Sequence, residues 1–166
     1  MSFIVGDRLP HATLIAMADG TPGQVELDQF LAGRSVVLFG LPGAYTDTCS
    51  TIHLPSFIRT ADAFRATGID EIACLAVNDP FVLDVWGKSS GAADAGIAML
   101  ADAGADFTNA IGMAFTAPPV GLYNRSNRYA LILEDGVIAV ANVDAPNTCN
   151  LSVGEELLAA WDSHRE

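Results

Sequence analysis

Ser35-Val36-Val37-Leu38-Phe39 is the segment that most restricts what this chain can fold into. An uninterrupted apolar run with β-branched residues has no polar face, so the strand it forms must be covered on both sides. It stops at Gly40-Leu41-Pro42-Gly43, where glycine and proline end regular pairing and start a loop. A doubly covered strand that runs into a loop implies a layered α/β arrangement with helices on both faces of the sheet. The chain can supply the cover, because 51% of its 166 residues are hydrophobic and only 17% are charged. That balance excludes intrinsic disorder and predicts one domain over residues 1–166, with a core that needs no disulfide staples.

Further elements follow from periodicity. Thr13 to Ala18 reads as a strand, and Asp19-Gly20 with Thr21-Pro22-Gly23 as a turn leading to Val25-Glu26-Leu27. Asp28 is expected to cap a short helix through Leu31. Phe57, Ala61 and Phe64 recur at i, i+4 and i+7 up to Gly68, a helix that Pro55 should kink or divide. Ile72 to Val77 is a second buried strand and Ile97 to Leu100 a third. Between them Phe81/Val85 and Val82/Trp86 pair at i, i+4 on a helix. Asp135-Gly136 between Tyr129–Leu133 and Val137–Val143 is a hairpin signal. Val153, Leu157, Leu158 and Trp161 mark a terminal helix, with Ser152 and Glu155 spaced as a capping box. Parallel βαβ units followed by an antiparallel hairpin and a helix predict a thioredoxin-like fold with a mixed central sheet covered by helices on both faces.

Composition narrows the partners. Eight Lys+Arg against 20 Asp+Glu leave 8 − 20 = −12, and Lys88 is the single lysine. A chain without a basic stripe is a poor partner for nucleic acid or an anionic membrane, which leaves small molecules and proteins. No apolar run reaches the roughly 18 residues of a membrane span. The start, MSFIVGDRLP, does not read as a secretory signal, so a cytoplasmic location is expected. Three cysteines, Cys49, Cys74 and Cys149, leave at least one thiol free and do not make a disulfide framework.

Cys49 follows the loop that leaves the buried strand, at the expected first turn of the next helix. Unpaired N–H groups and the positive dipole end there stabilise a thiolate, which makes Cys49 a candidate nucleophile; the alternative is a small buried hydrophobe. Its neighbours favour the nucleophile. Pro42-Gly43-Ala44-Tyr45-Thr46-Asp47-Thr48-Cys49 matches the PxxxTxxC pattern of the peroxiredoxins. Cys49-Ser50-Thr51-Ile52-His53-Leu54-Pro55, Ala76-Val77-Asn78-Asp79 and Arg125-Ser126-Asn127-Arg128-Tyr129 resemble the type 5 branch, the atypical two-cysteine members, so that the likeness spans nearly the whole chain.

The resemblance implies a thiol peroxidase in which Cys49 attacks hydrogen peroxide or small alkyl hydroperoxides. Thr46 would align the substrate by donating to a peroxide oxygen, although it could instead be an ordinary N-cap. Arg128 would favour the thiolate and stabilise the departing oxygen, with Arg125 as competitor for that role. The backbone N–H groups of Thr48 and Cys49 would help bind the substrate, and Pro42 would shield the sulfur from water. Dropping a thiol pKa from about 8.5 to about 6 raises the thiolate fraction at pH 7 about 30-fold. Enzymes commonly supply about 10⁶-fold or more, so polarising the substrate must contribute most. One departure stands out, since relatives usually carry proline where this chain has Asp47, a carboxylate two residues from the sulfur.

A sulfenic acid on Cys49 needs a second thiol, from Cys149, Cys74 or an external donor. Cys149 lies in the polar loop Asp144-Ala145-Pro146-Asn147-Thr148-Cys149-Asn150, where exposure is expected, whereas Cys74 lies inside a buried strand. By resemblance Cys149 corresponds to the resolving cysteine, which forms an intramolecular disulfide that thioredoxin or glutaredoxin reduces. The resemblance further implies no cofactor and a noncovalent homodimer. A one-cysteine cycle with glutathione, or a non-turnover sensor that passes oxidation to a partner protein, are the alternatives. Cys49 and His53 share a helix face at i, i+4, but no second ligand pair completes a metal site, and His53 reads as a structural residue or pocket wall.

Overall fold

The computed structural model describes residues 3–166. Seven strands form one sheet in the order β2-β1-β5-β4-β3-β8-β9. They are β1 (Thr13–Ala18), β2 (Thr21–Glu26), β3 (Ser35–Leu41), β4 (Glu71–Ala76), β5 (Ile97–Ala101), β8 (Tyr129–Glu134) and β9 (Val137–Val143). β3, β4 and β5 run parallel, and the flanking strands pair antiparallel to them, which makes the expected mixed sheet. β3 lies at the interior of the sheet and is buried along almost its whole length, as its apolar run requires.

Strand alternation divides the core. Val37, Phe39 and Leu41 pack with Phe57, Phe64, Trp86 and Trp161, which come from α2 (Leu54–Ala66), α3 (Pro80–Ser90) and α5 (Gly154–Arg165). Val36 and Leu38 point the other way, toward Leu27, Leu31 and Phe107 of α1 (Leu27–Leu31) and α4 (Asp106–Ala110). Helices therefore cover both faces, as expected of a thioredoxin-like α/β fold. A separate two-stranded ribbon, β6 (Ala114–Ala117) with β7 (Leu122–Ser126), joins through the turn Pro118–Val120.

Pro55 divides its helix as predicted. The segment Cys49–His53 is a π turn, in which the Leu54 N–H donates to the Cys49 carbonyl, and regular α2 begins at Leu54. Proline has no N–H to donate and its ring crowds the carbonyl four residues back, so a wider turn ahead of it relieves both conflicts.

Five local expectations are corrected. Thr21, Pro22 and Gly23 belong to strand β2 and pair with β1, so the turn is confined to Asp19-Gly20, and β3 runs on through Gly40 and Leu41 because both still pair with β4. The capping box does not form, because the Ser152 hydroxyl donates to Asp144 and Glu155 pairs with Arg59 at 2.7 Å; Val153 stands at the N-cap without a side-chain bond. Buried Asp144 is the stronger acceptor and wins the serine. Asp28 does not cap α1 either: Glu26 holds that position, and Asp28 Oδ1 accepts from the Gln29 N–H at 2.8 Å. On α3 the predicted apolar pairs split, since Trp86 is buried while Phe81, Val82 and Val85 are exposed. Pro80 and Leu83 join Trp86 on the buried face.

The β3–β8 register pairs Gly40 with Tyr129. A Cβ on Gly40 would stand 2.3 Å from the Tyr129 ring, so a side chain there collides with a fully buried aromatic next to Arg128. Gly40→Ala is therefore expected to destabilise the protein by about 1–3 kcal/mol, read as a lower urea midpoint, with partial recovery when Tyr129→Leu removes the ring. An unchanged midpoint in Gly40→Ala would show that the ring moves aside freely.

Candidate active site

The loop after β3 is built from its own sequence. Gly43 has φ +150°, and a Cβ there would fall 2.3 Å from Arg125 Nη1, so only glycine lets the arginine close on the loop. Arg125 Nη1 donates to the Pro42 carbonyl at 3.0 Å, and the Ala44 N–H donates to Asn78 Oδ1 at 2.9 Å. Arg125 thus holds the loop, which separates it from its competitor.

Arg128 reaches the sulfur. Its Nη2 lies 3.5 Å from Cys49 Sγ although the two residues are 79 positions apart. Cys49 is fully buried at the start of the π turn, and Arg128 Nε is buried without a protein acceptor. Among the described residues neither Arg125 nor Arg128 forms an ion pair with a carboxylate. Among the described residues the sulfur is accordingly the one side-chain partner this guanidinium has.

Thr46 departs from expectation in its hydrogen bonding. Its hydroxyl donates to the Gly43 carbonyl at 2.8 Å, so its proton is already spent and it makes no N-cap bond. The hydroxyl oxygen still has lone pairs and can accept. Thr46, Thr48, Pro42 and Arg128 all line one open cavity of about 550 Å³, together with Asp47. Its far wall is Phe115, Ala117, Val120 and Leu122 of the β6–β7 ribbon. The periodicity reading missed this ribbon, whose short strands are interrupted by Pro118-Pro119.

The Cys149 loop is tied down rather than loose. Buried Asp144 accepts from the N–H groups of Asn150, Leu151 and Ser152 at 3.0, 2.7 and 3.2 Å, and from the Ser152 hydroxyl. Burial pushes the Asp144 carboxyl up, but these hydrogen bonds outweigh it and hold the group below the usual range. Cys149 itself is half-buried and unbonded to another cysteine. Burial raises its thiol pKa; the charges of Asp144 and Cys49 act in the same direction, while Arg128 and the Ser152 hydroxyl oppose them. Ala145, Pro146, Asn147 and Thr148, just before it, form another side of the cavity. Cys74 is wholly buried, and its thiol is pushed well up by burial and by the charge of Cys49.

His53 is structural and not a pocket wall. It is fully buried, its Nε2 donates to the Ser152 carbonyl at 3.0 Å, and its ring sits against Phe39 and Phe57. That bond puts the ring proton on Nε2 and leaves the buried Nδ1 without a protein partner. The cluster His11, Glu26 and Asp28 lies at the surface, with Glu26 half-buried. Both His11 ring nitrogens already meet carboxylate oxygens, at 2.9 and 3.1 Å.

The Redoxin family matches residues 4–158 of the chain. A chloroplastic rice protein, peroxiredoxin-2E-2, is 45% identical over 160 residues, covering 94% of this chain and 71% of that protein. The crystal structure of reduced Prx3 from Vibrio vulnificus in complex with hydrogen peroxide superposes with a TM-score of 0.91 at 42% identity, covering 99% of each chain. Peroxiredoxin 5 from Alvinella pompejana superposes with a TM-score of 0.84 at 30% identity, covering 98% of this chain and 99% of that one.

Burial lowers the His53 pKa from 6.5 to about 4, partly opposed by its bond to Ser152, with the Arg128 charge lowering it further and Asp144 raising it. A histidine held neutral in the fold binds fewer protons than in the unfolded chain between those values. Its contribution is therefore complete above pH 6.5 and is lost as pH falls toward 4, on the order of 3 kcal/mol in all. Urea unfolding at pH 7 and pH 5 should show a larger loss for the native protein than for His53→Gln; equal losses would refute the assignment.

Proposed function

The chain belongs to the peroxiredoxins and is a thiol peroxidase, and we propose that Cys49 is its peroxidatic nucleophile, with Arg128, Thr46, Thr48 and Pro42 forming the substrate site. The observation that carries this reading is the Arg128 guanidinium 3.5 Å from Cys49 Sγ. The thiolate attacks one peroxide oxygen; the S–O bond forms as the O–O bond breaks, and water or an alcohol leaves after taking a proton. Cys49 becomes a sulfenic acid. Beyond the N–H that meets Cys49, the Arg128 guanidinium keeps further donors for the oxygens as charge develops on them. Because the Thr46 proton is committed to Gly43, its hydroxyl oxygen serves as the acceptor that orients the peroxide O–H. The first-turn N–H groups at Thr48 and Cys49 add further donors. Buried Pro42 keeps water from the sulfur.

Cys149 then condenses with the sulfenic acid: the S–S bond forms and water leaves. Thioredoxin, or glutaredoxin with glutathione, supplies the two electrons that restore both thiols. Its neighbours in the cavity wall support Cys149 over Cys74, which is sealed in the core. A second reading, a one-cysteine cycle resolved by glutathione or glutaredoxin, is favoured by the Asp144 bonds that hold the Cys149 loop closed. We also place the protein in the cytoplasm, on its odd set of free thiols. A noncovalent homodimer would cover Tyr45, Phe81 and Val85, each more than half exposed. This patch borders the active-site loop, since Tyr45 Oη meets Ser89 Oγ of α3 at 3.3 Å.

Reduced protein given one equivalent of hydrogen peroxide, then alkylated and weighed intact, is expected to carry a Cys49–Cys149 disulfide. One added oxygen on Cys49 with Cys149 alkylated would establish the one-cysteine cycle, a Cys49–Cys74 bond would move the resolving role, and an untouched Cys49 would overturn the nucleophile assignment. In light scattering the native mass should be twice that of one chain and should halve in Phe81→Asp. A native protein already at one chain would exclude the dimer.

A further inference from the structure

We propose that Asp47 makes the active-site cavity selective by charge, so that it accepts neutral organic hydroperoxides and turns away those whose tail carries a carboxylate. The proposal rests on the peroxidase reading above and concerns the part of the cavity that a peroxide group leaves over. A cavity of about 550 Å³ far exceeds what hydrogen peroxide fills, given that a water molecule occupies about 30 Å³. The remaining space is faced by Phe115, Ala117, Val120, Leu122 and Pro146, an apolar wall suited to an alkyl or aryl tail.

Among the described residues, two charged side chains line the cavity, Asp47 and Arg128. The guanidinium of Arg128 is engaged with Cys49 Sγ, so with the sulfur as thiolate that pair is neutral in sum. Asp47 is exposed at the rim and, among the described residues, has no ion-pair partner. The single lysine offers no relief, because Lys88 is paired with Asp84 at 2.8 Å. The whole chain carries −12, which adds to the same field. A carboxylate brought into this mouth meets like charge beside an apolar wall, whereas a neutral tail of the same shape meets no such repulsion.

The test compares cumene hydroperoxide, its para-carboxylate and the methyl ester of that acid in single turnovers of the reduced protein, which removes any dependence on the external reductant. The expected second-order rate constant is lower for the carboxylate than for cumene hydroperoxide, on the order of tenfold at low ionic strength. The difference should shrink in added salt. The ester should behave like the parent, and Asp47→Asn should close most of the gap between acid and ester. Equal rates for acid and ester, a slow ester, or an unchanged acid-to-ester ratio in Asp47→Asn would each overturn the proposal. Hydrogen peroxide run alongside keeps the two readings apart, since failure to oxidise Cys49 with it would overturn the peroxidase assignment instead.

Discussion

A guanidinium held 3.5 Å from a fully buried sulfur organises this molecule. A guanidinium withdrawn from water needs a partner, and the sulfur is the one that the half-buried Arg128 finds. The contact joins residues 79 positions apart, so it exists only if the sheet pairs in one register. The antiparallel pairing of β3 with β8 sets Gly40 opposite Tyr129 and so brings Arg128, one residue earlier, to the end of β3 where the Cys49 loop departs. A one-residue slip would turn the alternating side chains of β8 to the opposite face and separate the pair. The apolar residues that hold the register, Val37, Phe39, Ala130 and Ile132, therefore keep Cys49 and Arg128 together although none of them lines the cavity.

From that contact a closed path of hydrogen bonds leads around the site. The Arg128 carbonyl accepts from the Asp144 N–H at 3.2 Å, Asp144 holds Ser152, and the Ser152 carbonyl accepts from His53, which lies in the same π turn as Cys49. The segment with Cys149 is suspended between Asp144 and Ser152. Cys49, Arg128 and Cys149 are thus carried on one framework, which includes the wide π turn at Cys49. Pro55 accounts for that irregularity through its missing N–H and the bulk of its ring.

Most of the sheet was legible in the chain because buried strands announce themselves by continuous apolar runs: Val137–Val143 is found with its predicted bounds, and the ends of β4 and β5 move by one residue. Elements that lack such runs were not. The β6–β7 ribbon has short strands with little periodicity, and it proves to be the apolar wall of the cavity. Ser152 and Glu155 have the spacing of a capping box, but spacing says nothing of a buried carboxylate arriving from β9 to claim the serine. Phe81 and Val85 share a helix face, yet the buried face is the one with Leu83 and Trp86, because contact with the sheet and not hydrophobicity alone selects it. Tyr45 beside this face shows why: the exposed apolar residues gather next to the active-site loop.

By itself the sequence determined the local chemistry: a thiol at a strand-to-helix loop, the PxxxTxxC spacing that places Pro42 and Thr46 before it, and the glycine that the loop demands at position 43. These depend on neighbours within a few residues, where backbone geometry is dictated by residue type. Only the tertiary structure decided which arginine reaches the sulfur, that the Thr46 hydroxyl donates its proton to the Gly43 carbonyl, and that Cys149 sits in a loop tied to Asp144. Such facts depend on groups distant along the chain competing for the same hydrogen-bonding partners. The winner of that competition is set by strand register and burial, which no local pattern records.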